Sequence, residues 1–442
     1  MENVPVPCDT LVTAAVIVSQ NDAREILRDA ALAITDGRIA AMGPAGDITP
    51  RFTPRETLDL GPAMVLPGLV NTHTHAAMTL FRGLCDDAPL ATWLTDHIWP
   101  AEARLTPEAV RLGTLLACAE MLASGTTCFL DAYFFVNAIA DAVETSGLRA
   151  VLCQGVFEIQ SAGLKSTKSA LASAGKLATR LAGHDRLRAA VFPHSVYTCS
   201  AETLTRCADL ARERGLLLST HAVETAKEND DCLKANGERV IPYLRRLGLL
   251  GPTTLLAHGV ALDADDIAIV AETGASIAHC PKSNMKLASG IAPVAALRAA
   301  GVTVGLGTDG AASNNALNLF SEMNVAALLQ KVATGDPTAL RAGAALDMAT
   351  RDGADALGWP QLGRLAVGGP ADLCALDRTR PQLAPGFDPV SDAVYAASGS
   401  EVRLTMVAGK VLYHDGCFPG FDYPWLLAAF RETAAGLVRR AS

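Results

Sequence analysis

The sequence predicts an α/β protein, a (β/α)8 TIM-type barrel accompanied by a small β-sandwich domain formed by both chain ends. Three observations predict it. Between Met64 and Gly310, eight short β-rich runs alternate with helical stretches, the pattern of a parallel sheet with helical crossovers. The two ends of the chain carry strand and turn patterns without that alternation. Six of the nine histidines, with one aspartate, fall at or near the ends of the β-rich runs, and the carboxyl face of such a barrel is where chemistry gathers.

Residues from about Cys8 to Gly61 read as strands joined by turns, DTLVTAAVIVS and AALAITDGRIAAMG, with Asp36-Gly37 as a hairpin signal. Similar patterns return in ADLCALD (Ala371 to Asp377) and EVRLTMVAGKVLYHDG (Glu401 to Gly416), so the ends are expected to meet in one domain. The expected division is 1–62 plus 362–420 for the β domain, 63–361 for the barrel and 421–442 for a C-terminal helical tail. The eight barrel runs are MVLPGLVNTHTH, TTCFLDAY, RAVLCQGVFE, RAAVFPHS, LLLSTHAVE, TTLLAHGV, ASIAHCP and VTVGLGTDG. Among the helices between them, PEAVRLGTLLACAEMLASG opens on Thr106-Pro107-Glu108, which supplies a cap, a proline in the first turn and an early acid.

Half of the 442 residues are hydrophobic, yet no uninterrupted apolar run is long enough to span a bilayer. The start, MENVPVPCDT, has an acid where a signal peptide needs positive charge, so a cytoplasmic protein without a membrane partner is expected. The eleven cysteines contain no C-x-x-C pair and read as free thiols. A net charge of −9, no basic run beyond pairs such as Arg245-Arg246, and 5% aromatic residues argue against a nucleic-acid partner. The apolar content is compatible with a homo-oligomer, but no seam for one is legible.

Chemistry starts at MVLPGLVNTHTH. Side chains alternate along a strand, so His73 and His75 share a face roughly 6 to 7 Å apart and can share one metal ion. Runs four, five, six and eight end at His194, His221, His258 and Asp309, and His279 lies near the end of run seven. His73, His75, His221 and Asp309 together offer three imidazoles and a carboxylate to one divalent cation, with room for a water. Zn²⁺ suits this nitrogen and oxygen set best, although Fe²⁺, Mn²⁺ and Ni²⁺ also accept it. Such an ion yields hydroxide near neutral pH, and Asp309 stands where it can accept the proton. Glu224, three residues beyond His221, can be turned over the water as a proton donor, and His258 can orient the attacking hydroxide. Two-metal hydrolases on this barrel bridge their ions with a carbamylated lysine after strand four. Run four ends in His194 with no lysine, so a single metal is expected. No G-x-S-x-G, P-loop or convincing dinucleotide fingerprint follows a strand.

PGLVNTHTH, HAVET, LLAHGV, SIAHCPKSNMKLASG and GLGTDGAASNN together resemble the amidohydrolase superfamily in its single-metal aminohydrolase branch. FRGLCDDAPLATWLTDHIWPAEA (Phe81 to Ala103), FPHSVYTCS and GRLAVGGPADLCALD are similar to the 5-methylthioadenosine/S-adenosylhomocysteine deaminase family, and the resemblance runs across nearly the whole chain. It implies hydrolytic deamination of an adenine nucleoside by a metal-activated hydroxide, giving an inosine-type product and ammonia. It implies metal ligation by His73, His75, His221 and Asp309, with Asp309 also shuttling protons, Glu224 protonating the purine N1 and His258 beside the hydroxide. It also implies that Glu102 holds ribose hydroxyls and that His194 contacts the substrate. Ser283 and Asn284 are candidates for the pocket wall, and Phe81, Leu84 and Trp93 for an apolar 5′ pocket.

One stretch departs from the family pattern. Phe157 to Gly183 offers Lys165, Lys168 and Lys176, with Arg180 near its helical end, in place of arginines able to clamp a substrate carboxylate. A lysine is a point charge without a bidentate fork, so 5′-methylthioadenosine is favoured over S-adenosylhomocysteine. The competing readings are a related single-metal aminohydrolase of the guanine deaminase or triazine chlorohydrolase type, and a non-catalytic scaffold on a hydrolase barrel.

Overall fold

The computed structural model describes residues 4–158 and 166–438. Among the described residues, two sheets of eight strands each make up the β structure. The first contains β1 (Val6–Val18), β2 (Ile26–Thr35), β3 (Arg38–Pro44), β4 (Phe52–Asp59), β5 (Met64–Pro67), β14 (Leu373–Leu376), β15 (Val402–Val407) and β16 (Lys410–His414). The second contains β6 (Leu69–Thr74), β7 (Thr126–Tyr133), β8 (Arg149–Val156), β9 (Leu187–Pro193), β10 (Leu217–Ala222), β11 (Thr254–His258), β12 (Ser276–His279) and β13 (Val304–Leu306).

In the first sheet both chain ends interlock. β1 is long enough to pair with β2 on one side and with β4 and then β5 on the other, and β5 pairs in turn with β14 from the C-terminal part. Hydrogen bonding thus joins all eight strands in one continuous sheet. The β2–β3 hairpin turns through Asp36 and Gly37 with φ of 51° and 72°, the two left-handed residues that a tight hairpin matching the strand twist requires.

The apolar run expected as one barrel strand is two strands. It breaks at Gly68, where a Cβ would lie 2.0 Å from Thr127 Oγ1, so only glycine lets the chain pass from β5 in the first sheet to β6 in the second. The eight strands of the second sheet follow one another in chain order and all pair in parallel. The seam between β13 and β6 is closed from beyond the strand ends. The Asp309 N–H donates to the His73 carbonyl at 3.0 Å, and Asn71 Nδ2 donates to Thr308 Oγ1 at 2.8 Å while its Oδ1 accepts from the Thr308 N–H at 3.1 Å.

β7 and β8 are buried at every position, as strands covered on both faces must be. Val70, Cys128, Leu130, Val151, Phe192 and Leu255 are among the side chains packed in one apolar cluster. Outside the barrel, the Pro107–Ala123 helix opens with Thr106 Oγ1 accepting from the Ala109 N–H at 3.2 Å, and the Tyr423–Val438 helix packs on it through Leu426. Barrel and first sheet are pinned by a buried pair in which Arg149 Nε donates to Asp372 Oδ2 at 2.6 Å. All eleven cysteines are free, and among the described residues no helix is long and apolar enough to cross a membrane.

Candidate active site

The site is built from strand ends. His73 lies on β6 with His75 just beyond it, and His221 lies on β10. Candidate ligand atoms of these three residues all lie within 4.8 Å of one another. The His75 Nδ1–H donates to the Ala132 carbonyl at 2.6 Å, which leaves Nε2 bare, and this Nε2 faces His221 Nε2 at 3.3 Å. Asp309 Oδ1 is 3.6 Å from His73 Nε2 and 3.4 Å from His75 Nε2. Neither ring nitrogen of the fully buried His73 has a protein partner among the described residues. Burial lowers His73 to about 4 and holds His221 well below its ordinary value, so the imidazoles are neutral and present lone pairs. Crowded, unprotonated nitrogens beside a carboxylate fit one divalent cation, which supplies the positive charge that they otherwise lack. No second such cluster of three or more ligands occurs among the described residues.

Three residues around this cluster adopt the left-handed backbone region that side chains avoid: Val223 at φ 55°, His258 at 77° and Asp309 at 61°. Each lies at or just past the end of a barrel strand, and the bends bring His258, Asp309 and, directly after Val223, Glu224 to the centre. Asp309 is the most constrained. Its Oδ2 accepts from Ser283 Oγ at 2.6 Å and Ser313 Oγ at 2.9 Å, and its Oδ1 accepts from the Gly310 N–H at 2.8 Å. Burial opposes ionisation of this carboxyl, but the neighbouring imidazoles of His73, His75 and His258 hold it well below the usual range. His258 Nδ1 bonds Asn284 Oδ1 at 2.9 Å, which directs its Nε2 away from that contact.

A cavity opens over the cluster, and His75, His221, Asp309, Glu224, His258 and Glu102 all reach it. Burial raises the Glu224 carboxyl above its ordinary value, so an acidic proton is retained closer to neutral pH. Glu102, on the short Trp99–Glu102 helix, is 8% exposed, and Tyr133 Oη donates to its Oε1 at 2.6 Å. Burial pushes Glu102 up to about 7 against the lowering effect of that hydroxyl. His194, directly after β9, uses Nδ1 toward Ser195 Oγ at 3.0 Å and Thr198 Oγ1 at 2.9 Å, and burial lowers it to about 3.

The structure therefore brings Glu102, His194, Glu224, His258 and Asp309 to one cavity with His75 and His221, and puts His73 beneath them. Other candidates sit elsewhere. Ser283 and Asn284 are buried under Asp309 and His258 and orient them from below. Trp93 lines the cavity, but Phe81 and Leu84 do not; both belong to the apolar core. Lys168 and Lys176 are exposed, Arg180 is paired with Asp141 and Glu144, and Lys165 lies outside the described residues. Among the described residues, no lysine or arginine lines the cavity. His97, His184 and His414 lie away from it, and His279 is fully buried without a partner among the described residues. Sequence reasoning missed Tyr133 and Ser313, and the aromatic wall of Phe134 and Phe157, whose ring centroids are 5.3 Å apart. Tyr133 could have been found, since it is the last residue of β7 and the strand-end rule applies to it as it does to the histidines.

Comparison with known proteins agrees with this arrangement. The amidohydrolase family model matches residues 64–412. A 5-methylthioadenosine/S-adenosylhomocysteine deaminase from Nitratidesulfovibrio vulgaris (strain DSM 19637 / Miyazaki F) is 51% identical over 96% of this chain and 97% of its own length. Among solved structures, an adenosine deaminase from Xanthomonas campestris with bound zinc superposes with a TM-score of 0.96 at 38% identity, covering 98% of this chain and 99% of that one. An atrazine chlorohydrolase from Arthrobacter aurescens TC1 complexed with zinc shares the fold, with a TM-score of 0.88 at 24% identity over 97% of this chain and 100% of that one.

Proposed function

The chain belongs to the amidohydrolase family, and from that premise we propose that it deaminates adenine nucleosides hydrolytically, with 5′-methylthioadenosine or S-adenosylhomocysteine as substrate. The products are an inosine-type nucleoside and ammonia. The observation that carries the reading is the placement in one cavity of two buried acids of different use: Glu224 beside the histidine cluster, and Glu102, anchored by Tyr133, as an acceptor for ribose hydroxyls. A free base or a triazine ring presents no such hydroxyls.

His73, His75, His221 and Asp309 would hold one divalent cation, and the bound zinc of the Xanthomonas campestris relative favours Zn²⁺. When bound, the cation supplies Lewis acidity that acidifies water toward neutral pH. Glu224, its carboxyl raised by burial, delivers a proton to the adenine N1 as water attacks C6. His258 accepts a hydrogen bond from the attacking water through the nitrogen opposite its Asn284 contact. Asp309 receives the proton lost by that water and passes it to the departing ammonia, Ser283 and Ser313 hold its carboxylate in place, and the proton left on the C6 hydroxyl returns to Glu224 as the carbonyl forms. The aromatic wall of Phe134 and Phe157 and the absence of a lysine or arginine among the described lining residues favour the apolar methylthio group over a homocysteinyl carboxylate. The direct test is Glu224→Gln, which should keep its metal and lose deamination of 5′-methylthioadenosine; near-normal turnover would remove Glu224 from the mechanism.

A further inference from the structure

We propose that Glu228 is a positioning residue for Glu224: its carboxyl clamps the strained turn that carries Glu224 from β10 into the cavity. The proposal rests on the function given above. Between Ala222, which ends β10, and the Ala226–Asn236 helix, the chain turns through Val223, Glu224 and Thr225. Val223 has φ 55°, a region in which a β-branched residue is an outlier at a cost of about 1–3 kcal/mol. Such a conformation persists only where its surroundings hold it. Here the Val223 carbonyl accepts from the Val260 and Ala261 N–H groups at 2.8 and 3.1 Å, which ties the turn to the loop after His258. On the other side of the same turn, Glu228 Oε2 accepts the backbone N–H of Glu224 at 2.8 Å.

Thr225 caps the helix by accepting from the Glu228 N–H at 3.2 Å, so Glu228 is the third helical residue. In an ordinary capping box that side chain returns to the N–H of the cap residue itself. Here it reaches one residue further back, to Glu224, so the cap becomes a clamp on the residue that handles the proton. A carboxyl serving the helix alone works at the surface. Glu228 is instead 6% exposed, its Oε1 is buried without a partner among the described residues, and it lies beside a second acid. Burial pushes its carboxyl up to about 8. That arrangement costs stability, and holding Glu224 in place accounts for it.

The test compares metal-loaded wild type with Glu228→Ala, Glu228→Asp and Glu228→Gln, measuring kcat and KM for 5′-methylthioadenosine, metal content, and hydrogen exchange at the Glu224 amide. Ala removes the acceptor and Asp is too short to reach, so both should lower kcat by about tenfold or more with KM and metal content little changed. Gln presents an amide oxygen to the same N–H and should stay within about threefold of wild type. Protection of the Glu224 amide should fall in the Ala variant and persist in the Gln variant. Should the Ala variant fail to fold, the Asp and Gln pair decides. Wild-type kcat in the Ala or Asp variant, equal turnover of Asp and Gln, or unchanged amide protection in Ala would each overturn the clamp. The exchange measurement needs no substrate, so it decides on the clamp even if wild type fails to turn over adenine nucleosides, a result that would count against the function instead.

Discussion

Tyr133 Oη donates to Glu102 Oε1 at 2.6 Å, tying an acid on the segment that follows β6 to the end of β7. The bond uses one carboxylate oxygen and leaves Oε2 for a ligand. If Glu102 holds ribose hydroxyls, Glu102→Ala should raise KM for 5′-methylthioadenosine by about 10- to 100-fold with a smaller effect on kcat, and Tyr133→Phe should act in the same direction more weakly. Steady-state kinetics decide this, and an unchanged KM in Glu102→Ala would take the residue out of substrate recognition.

Removing a ligand should remove the metal. His221→Ala leaves His75 Nε2 without its neighbour at 3.3 Å, and the variant should bind one equivalent of zinc far more weakly than wild type and show no deamination. Chelation of wild type should lower its thermal midpoint and added zinc restore it, because a ligand present at about 1,000 times its Kd adds about 4 kcal/mol of stability. Elemental analysis and thermal unfolding check both statements. A His221→Ala protein that retains stoichiometric zinc contradicts the ligand assignment.

Ser283 and Ser313 both donate to Asp309 Oδ2. Their removal frees the carboxylate to rotate without taking away a metal ligand, so the Ser283→Ala, Ser313→Ala double variant should lose about 10- to 100-fold in kcat while keeping its metal. The readout is kcat beside metal stoichiometry. Loss of metal without loss of turnover per metal-loaded site would assign the serines to ligation geometry alone.

The buried acids give stability a dependence on pH. Burial pushes Glu102, Asp131 and Glu322 up to about 7 and Glu228 up to about 8, from ordinary values of 4.5 for glutamate and 3.8 for aspartate. Between the ordinary and the raised values the unfolded chain is ionised while the folded chain keeps its protons, so stability falls as pH rises through that window. Burial lowers His73 to about 4, and His194 and His279 to about 3, from 6.5, so these residues act oppositely, with stability falling as pH drops below 6.5. The two slopes oppose each other up to about pH 7.5, where the unfolded histidines have lost most of their protons, and above 6.5 the carboxyl slope is the larger. The metal-free protein should therefore lose on the order of 1–3 kcal/mol between pH 6.5 and 8. A thermal midpoint that is level or rises across that interval contradicts the burial of protonated acids.

How much of this was legible in the sequence depended on the range of the interaction. His73 and His75 were readable because period-two alternation is local, and the eight barrel runs were readable because parallel strands buried on both faces are uniformly apolar. The break at Gly68, a change of sheet, was not readable within the apolar run, because it depends on Thr127 lying against it from a strand more than fifty residues away. Only the family resemblance marked Glu102, because its burial depends on how the segment after β6 packs and no local pattern records that. Ser283 and Asn284 were candidates for the pocket wall; their hydrogen bonds to Asp309 and His258 arise from where the Pro281–Lys286 helix packs, which no local pattern records.

Adenine-nucleoside deamination is tested most directly by ammonia release from the zinc-loaded protein offered 5′-methylthioadenosine, S-adenosylhomocysteine, adenosine and guanine side by side, with the ultraviolet change of the purine followed in parallel. The expected result is conversion of the adenine nucleosides to inosine-type products, with 5′-methylthioadenosine preferred over S-adenosylhomocysteine. Activity on guanine alone, with none of the adenine nucleosides turned over, would contradict it.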